Sequence, residues 1–173
     1  MRKIWMTLLL TLPCLLAYAD GTNCKEVGGG IVTNFLNESG TVSFSKNETP
    51  KPFMFTTLGT ATGDLAGGIG VYIFTFTASG NTAVAQVHHH WVTEAGDTIN
   101  LADATANAYQ VDSFSGIYAV GGGSYTARII PGGIGRFANA TGKLSFSGVL
   151  DQTKGTVVLR YQGTICFNQE HEQ

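Results

Sequence analysis

The chain has 173 residues, 13% of them charged and 43% hydrophobic, with 23 Gly, 4 Pro, 3 Cys and a formal charge of -2. That length holds one domain, since chains split into several cores only beyond about 250–300 residues. Acids outnumber scattered Lys and Arg, which excludes a nucleic-acid binder of the basic-patch kind, and the apolar content excludes global disorder.

Arg2 and Lys3 form a short basic start, positions 4–16 are apolar, and Ala17-Tyr18-Ala19 is a small-x-small cleavage pattern before Asp20. The apolar run is shorter than the ~20 residues a helix needs to cross a bilayer. Cys14 follows Leu12-Pro13 and lacks the two small residues that precede a lipidated cysteine. Residues 1–19 therefore read as a secretory signal and 20–173 as the domain, secreted or periplasmic, with no membrane span after cleavage. Of the three cysteines, Cys24 and Cys166 remain in the mature chain. In an oxidising compartment this pair predicts a disulfide, with two unpaired thiols as the alternative. A bridge closing so long a loop is worth roughly 5 kcal/mol in the chain-entropy model.

No segment has the apolar period of an amphipathic helix. Period-2 or continuous β-rich runs predict strands at 30–34, 41–45, 53–60, 69–77, 82–93, 98–102, 109–113, 124–130, 143–150 and 155–166. Turn chemistry separates them, as in Ser79-Gly80-Asn81, Ala95-Gly96-Asp97 and Gly121-Gly122-Gly123. So many short strands mean an all-β antiparallel sandwich or barrel. A long final strand tied to the first segment favours a single closed antiparallel β-barrel of about eight strands.

Alternation assigns the faces. In 82–93 the inward set is Ala83, Ala85, Val87, His89 and Trp91, with Gln86, His88, His90 and Glu94 on the other face. Tyr125, Ala127 and Ile129 point inward from the strand at 124–130, Leu144, Phe146 and Gly148 from 143–150, and Val157, Leu159, Tyr161 and Ile165 from 155–166. The strand at 69–77 starts apolar on both faces, so its outside needs a cover, such as a partner subunit or the N-terminal segment.

The most specific stretch is Pro131-Gly132-Gly133-Ile134-Gly135-Arg136-Phe137-Ala138-Asn139-Ala140-Thr141-Gly142. It leads into a strand, so no helix N-terminus is available for a phosphate. Its glycines allow a tight bend, with Phe137 dropping inward as a plug. The pattern Gly-Gly-x-Gly-x-Phe-x-x-Ala-x-Gly resembles the allene oxide cyclase and dirigent barrel superfamily. The segment 148–163, ending Arg160-Tyr161-Gln162-Gly163, and Thr62-Gly63-Asp64-Leu65-Ala66-Gly67 are similar to small secreted bacterial members. Ile134 departs from the Thr or Ser that dirigent proteins more often carry. The resemblance implies an eight-stranded antiparallel barrel with an internal cavity, trimeric in many plant members. There the cavity cyclises a fatty-acid-derived epoxide or orients radicals during coupling; neither set of catalytic residues maps onto this chain.

The inward His89, Trp91, Tyr125, Tyr161 and Phe146, joined by Tyr72 with Phe74 and Phe76, are the candidate lining of a ligand cavity. The alternative is a barrel filled by its own side chains. His88-His89-His90 supports a rival site: His88, His90 and Glu94 share a face and match the His-x-His-x-x-x-Glu ligand spacing of cupins. Such a set holds a divalent transition metal. Against this, Arg136 stands where the second cupin motif needs a histidine, and the three residues fall on the outward face. The sequons at Asn37, Asn47 and Asn139 matter only in a host that glycosylates.

The sequence thus predicts a secreted barrel that binds a small apolar or amphipathic molecule and needs no cofactor. A cyclase- or dirigent-like enzyme, a cupin-like metalloenzyme and a surface interaction protein are the alternatives. A homo-oligomer is compatible with each.

Overall fold

The computed structural model describes residues 22–44, 48–112 and 114–168; the signal segment expected at 1–19 lies outside the described residues. The elements are β1 (Thr22–Leu36), β2 (Gly40–Val42), β3 (Lys51–Phe53), β4 (Phe55–Ala61), β5 (Gly67–Ser79) and β6 (Thr82–Thr93). They continue with β7 (Thr98–Asn100), β8 (Ala104–Gln110), β9 (Ile117–Val120), β10 (Thr126–Ile129), β11 (Thr141–Asp151) and β12 (Thr156–Asn168). The one helical turn among the described residues is a 3-10 turn at Gly135–Phe137.

Every pairing is antiparallel, and the ladder β11-β12-β1-β4-β5-β6-β8-β9 returns to β11, closing an eight-stranded barrel. Two of the eight positions are split. β7 and β8 pair with opposite ends of β6, and β9 and β10 with opposite ends of β11. The break between β9 and β10 is made by Gly121, Gly122 and Gly123, all at positive φ. The first and last strands meet along Thr22↔Asn168 to Asn34↔Thr156, and Cys24 and Cys166, opposite each other in that register, form a disulfide.

One end of the barrel is packed solid. The 62–66 loop folds over it, with Gly63 at φ +85, which lets the chain turn back across Gly28 and Gly29. Leu65 is driven inside and its backbone is held at both ends: the Trp91 Nε1–H donates to the Leu65 carbonyl at 2.9 Å, and the Leu65 N–H donates to the Tyr161 hydroxyl at 2.8 Å. The Tyr161 hydroxyl donates in turn to the Thr62 carbonyl at 2.9 Å, and Asp64 Oδ2 accepts from the Gly28 N–H at 2.7 Å. Phe137, from the glycine-rich bend, is buried at the same end as the expected plug.

β5 carries an irregularity the alternation alone does not show. Ile73 pairs with Val87 and Thr75 with Gln86, leaving Phe74 as an extra residue. A bulge reverses the parity of the residues beyond it. Ile69, Val71 and Ile73 face inward before it, and Phe76 faces inward after it. On the outer face of β5, Tyr72 and Phe74 are covered by the β2–β3 hairpin. Phe53 packs edge-on against Tyr72 at 5.2 Å, and Phe44 against Tyr72 and Phe74 at 5.6 and 6.3 Å.

Candidate functional site

The other half of the barrel is hollow. A cavity of about 420 Å³ opens at the end formed by the last residues of β1, β5, β8 and β11 and the first of β4, β6, β9 and β12. Its origin lies in two cross-strand pairs, Ala83↔Ala108 and Ala85↔Ala106, which bring four methyl groups to a stretch of wall that larger side chains would fill. Val71, Ile73, Val87 and Leu159 add to the wall, and the buried Thr33 and Thr57 bring hydroxyl groups to it. Phe35, Phe55, Phe76 and Tyr118 stand toward the mouth, where Phe76 is 43% exposed. No Asp, Glu, Lys or Arg among the described residues lines the cavity.

Among the buried polar groups lining the cavity is His89, 2% exposed on β6. Its Nε2 lies 2.6 Å from the Tyr125 hydroxyl. The imidazole stacks on Phe146 at 5.1 Å and 12°, and Tyr125 leans on Phe146 at 4.8 Å. Nδ1 of His89 is buried and has no hydrogen-bond partner among the described residues. Burial first, and then the neighbouring His88, pushes His89 down to about 3, against an opposing pull from Asp103. Burial raises the Tyr125 hydroxyl far above its ordinary value. At neutral pH the pair is an uncharged imidazole on an uncharged phenol, able to hydrogen-bond but holding no charge.

The expected lining residues separate along the barrel axis. His89, Tyr125 and Phe146 come together at the cavity floor. Trp91, 0% exposed, and Tyr161 point inward too but belong to the solid end, where they hold the 62–66 loop and meet edge-on at 5.1 Å. The hollow and filled interiors are therefore both present, one in each half. Tyr72 is a correction: it precedes the bulge on the even, outward face of β5 and lies under the hairpin. Phe74 is outward for the same reason, and Phe76 lies inward because of the bulge. Ala83 and Ala85 fall on the face expected to be inward but were not among the expected cavity residues, and Ala106 and Ala108 were missed, since the strand carrying them begins at Ala104, well before the run expected at 109–113.

His88, His90 and Glu94 do not converge. His88 and His90 lie on the outer face of β6, and Glu94 is exposed beyond its last residue, roughly 20 Å from His88 at the rise of a strand. His88 is instead engaged by Asp103 at 2.8 Å and stacked on Phe44 at 3.7 Å. Among the described residues no group of three His, Cys, Asp or Glu side chains is placed to hold a metal ion.

What these features define is a class: a closed eight-stranded antiparallel barrel with a half-length apolar cavity. No family model and no curated protein matches the chain. A solved pterocarpan synthase dirigent protein is similar over 88% of this chain and 89% of its own, at 11% identity and a TM-score of 0.34. Likeness that remote adds nothing to the barrel, which rests on the strand register. No helix among the described residues is long and apolar enough to cross a membrane.

Proposed function

We propose that this is an exported binding protein of the allene oxide cyclase/dirigent type that takes a small, uncharged, largely apolar molecule into the open half of its barrel. The observation that carries this reading is the cavity of about 420 Å³ with no charged side chain among the described residues of its wall. Apolar pockets of this size class, with a few convergent polar groups, are what small-molecule sites are made of. Removing an ion's hydration shell in such a cavity goes uncompensated, so a charged ligand is rejected unless its charge stays at the mouth. Export is supported by the N-terminal basic-apolar-small pattern and by the Cys24–Cys166 disulfide. The reading stops at binding, since no acid–base or nucleophilic set with a charged member faces the cavity among the described residues.

Titration with the uncharged fluorophore N-phenyl-1-naphthylamine tests it. Saturable binding at one molecule per barrel is expected. Ala106→Phe, which puts a ring into the space left by the alanine wall, is expected to weaken binding at least about tenfold while leaving the β-sheet circular dichroism unchanged. No saturable binding to the wild-type protein, or equal binding to the variant, overturns the proposal.

A further inference from the structure

We infer that the occupant of the cavity carries a neutral oxygen, a carbonyl or a hydroxyl, toward the outer end of its apolar body, and that the hydroxyls of Thr33 and Thr57 hold it. The inference rests on the cavity being a binding site and adds the polarity of what binds and where along the barrel that polarity lies.

Thr33 on β1 and Thr57 on β4 sit one inward step, roughly 7 Å along a strand, below Phe35 and Phe55, whose rings meet edge-on at 5.4 Å near the mouth. In the register of these strands Thr33 stands opposite Gly59 and Thr57 opposite Phe35, so the two threonines are diagonal neighbours on the inward face. Across from them on the flanking strands are Val157 and Val71, so none of the directly paired side chains offers a hydrogen bond. Neither hydroxyl has a partner among the described residues, although the two residues are only 2% and 5% exposed. Neither oxygen is sealed either: the unpartnered side-chain polar atoms with virtually no surface are His89 Nδ1 and Thr93 Oγ1. What little surface Thr33 and Thr57 keep therefore includes the hydroxyl oxygen, and it opens on the cavity that both residues line. β8 stands four strands from β1 in the eight-stranded ladder, so these hydroxyls look across at the wall where Ala106 and Ala108 leave room.

Valine has the shape of threonine without its polar atom, and the same lining carries it at Val71, Val87 and Val157. A hydrocarbon filling the cavity strips water from two hydroxyls and gives them nothing in return. A ligand oxygen at their level restores the bond, since a hydroxyl both donates and accepts. Branching at Cβ restricts χ1, so each oxygen is positioned before anything binds.

Two probes matched in shape, 2-acetylnaphthalene and 2-isopropylnaphthalene, isolate the oxygen. The affinity of each is measured by displacement of N-phenyl-1-naphthylamine from wild type, from Thr33→Val/Thr57→Val and from Thr33→Ser/Thr57→Ser. The difference in hydration of the probes is common to all three proteins and cancels in the comparison. The acetyl-to-isopropyl affinity ratio is expected to fall about fivefold in the valine pair, the loss of a hydrogen bond inside the cavity. It is expected to stay near wild type in the serine pair, which keeps both hydroxyls. A ratio that the valine pair leaves unchanged, or that the serine pair lowers as much, overturns the inference while leaving the cavity a binding site. Absence of saturable N-phenyl-1-naphthylamine binding to wild type overturns the binding reading itself. The infrared carbonyl stretch of 2-acetylnaphthalene bound to wild type provides a readout that does not depend on the variants folding. A stretch lowered from its value in hexane supports the hydrogen bond; the hexane value refutes it.

Discussion

At the scale of single residues, the buried imidazole ties stability to pH. His89 sits at about 3 in the folded chain and near 6.5 in the unfolded one, so the unfolded state binds the extra proton throughout that window. Stability is fully present above the unfolded value and is lost as pH falls toward the folded one. Between pH 7 and pH 5 the loss from this group is about 2 kcal/mol. Urea unfolding at the two pH values is expected to show that difference in wild type and to lose most of it in His89→Phe. An equal pH dependence in both proteins would assign the effect to other groups. The inward placement of His89 was legible in the sequence, because β6 alternates without interruption across twelve residues. The same regularity placed His88 and His90 outside. Its contact with Tyr125 was not legible, since it joins strands 36 residues apart in sequence and depends on how the barrel closes.

At the scale of elements, β5 shows where pattern reading loses its footing. A run that is apolar on both faces has no parity to read, and a single extra residue at Phe74 turns the chain over midway. Tyr72 is outside and Phe76 inside for that reason. The apolar outer face then requires the β2–β3 hairpin. Its attachment has a polar part, Lys51 reaching Asp103 at 3.3 Å, and Asp103 also holds His88 of β6 at 2.8 Å. It has an aromatic part in Phe44, Phe53, Tyr72 and Phe74. Exposed ion pairs contribute about 0–1 kcal/mol, whereas a half-buried ring removes apolar area from water and gains from edge-on contacts. Phe44→Ala is therefore expected to cost roughly 1–2 kcal/mol and Asp103→Asn well under about 1 kcal/mol. Hydrogen exchange at β2 and β3 reads the comparison. Both variants should bind N-phenyl-1-naphthylamine as wild type does, because the hairpin lies outside the barrel wall.

At the scale of the whole molecule, closure is the dominant fact. Most strands, their antiparallel sense and their inward faces were legible from turn residues and alternation, which are local. β9 was missed because Ile117–Val120 is four residues long and bounded by glycines on both sides, so that it reads as part of a loop. The division of the interior into a solid and a hollow half was also out of reach. It depends on which small residues stand opposite each other across β6 and β8, and on the 62–66 loop entering one end. The disulfide adds a constraint across a sequence separation of 142 residues, between positions that the strand ladder already pairs. The double variant Cys24→Ser/Cys166→Ser is therefore expected to keep the barrel and its cavity but to lose roughly 2–5 kcal/mol in urea unfolding. An unchanged midpoint would show that the ladder alone constrains the ends.

The pairing of β1 with β12 also sets an order of events. Ile31, Thr33 and Phe35 of one cavity wall come from β1, and Val157 and Leu159 beside them come from β12. Hairpins such as β5–β6 and β11–β12 join neighbours in sequence and form early, but the seam joins residues more than a hundred positions apart and must wait for the last strand. Without that seam the sheet has two open edges and encloses no space. The cavity therefore exists only in a chain whose strands β1 and β12 have met.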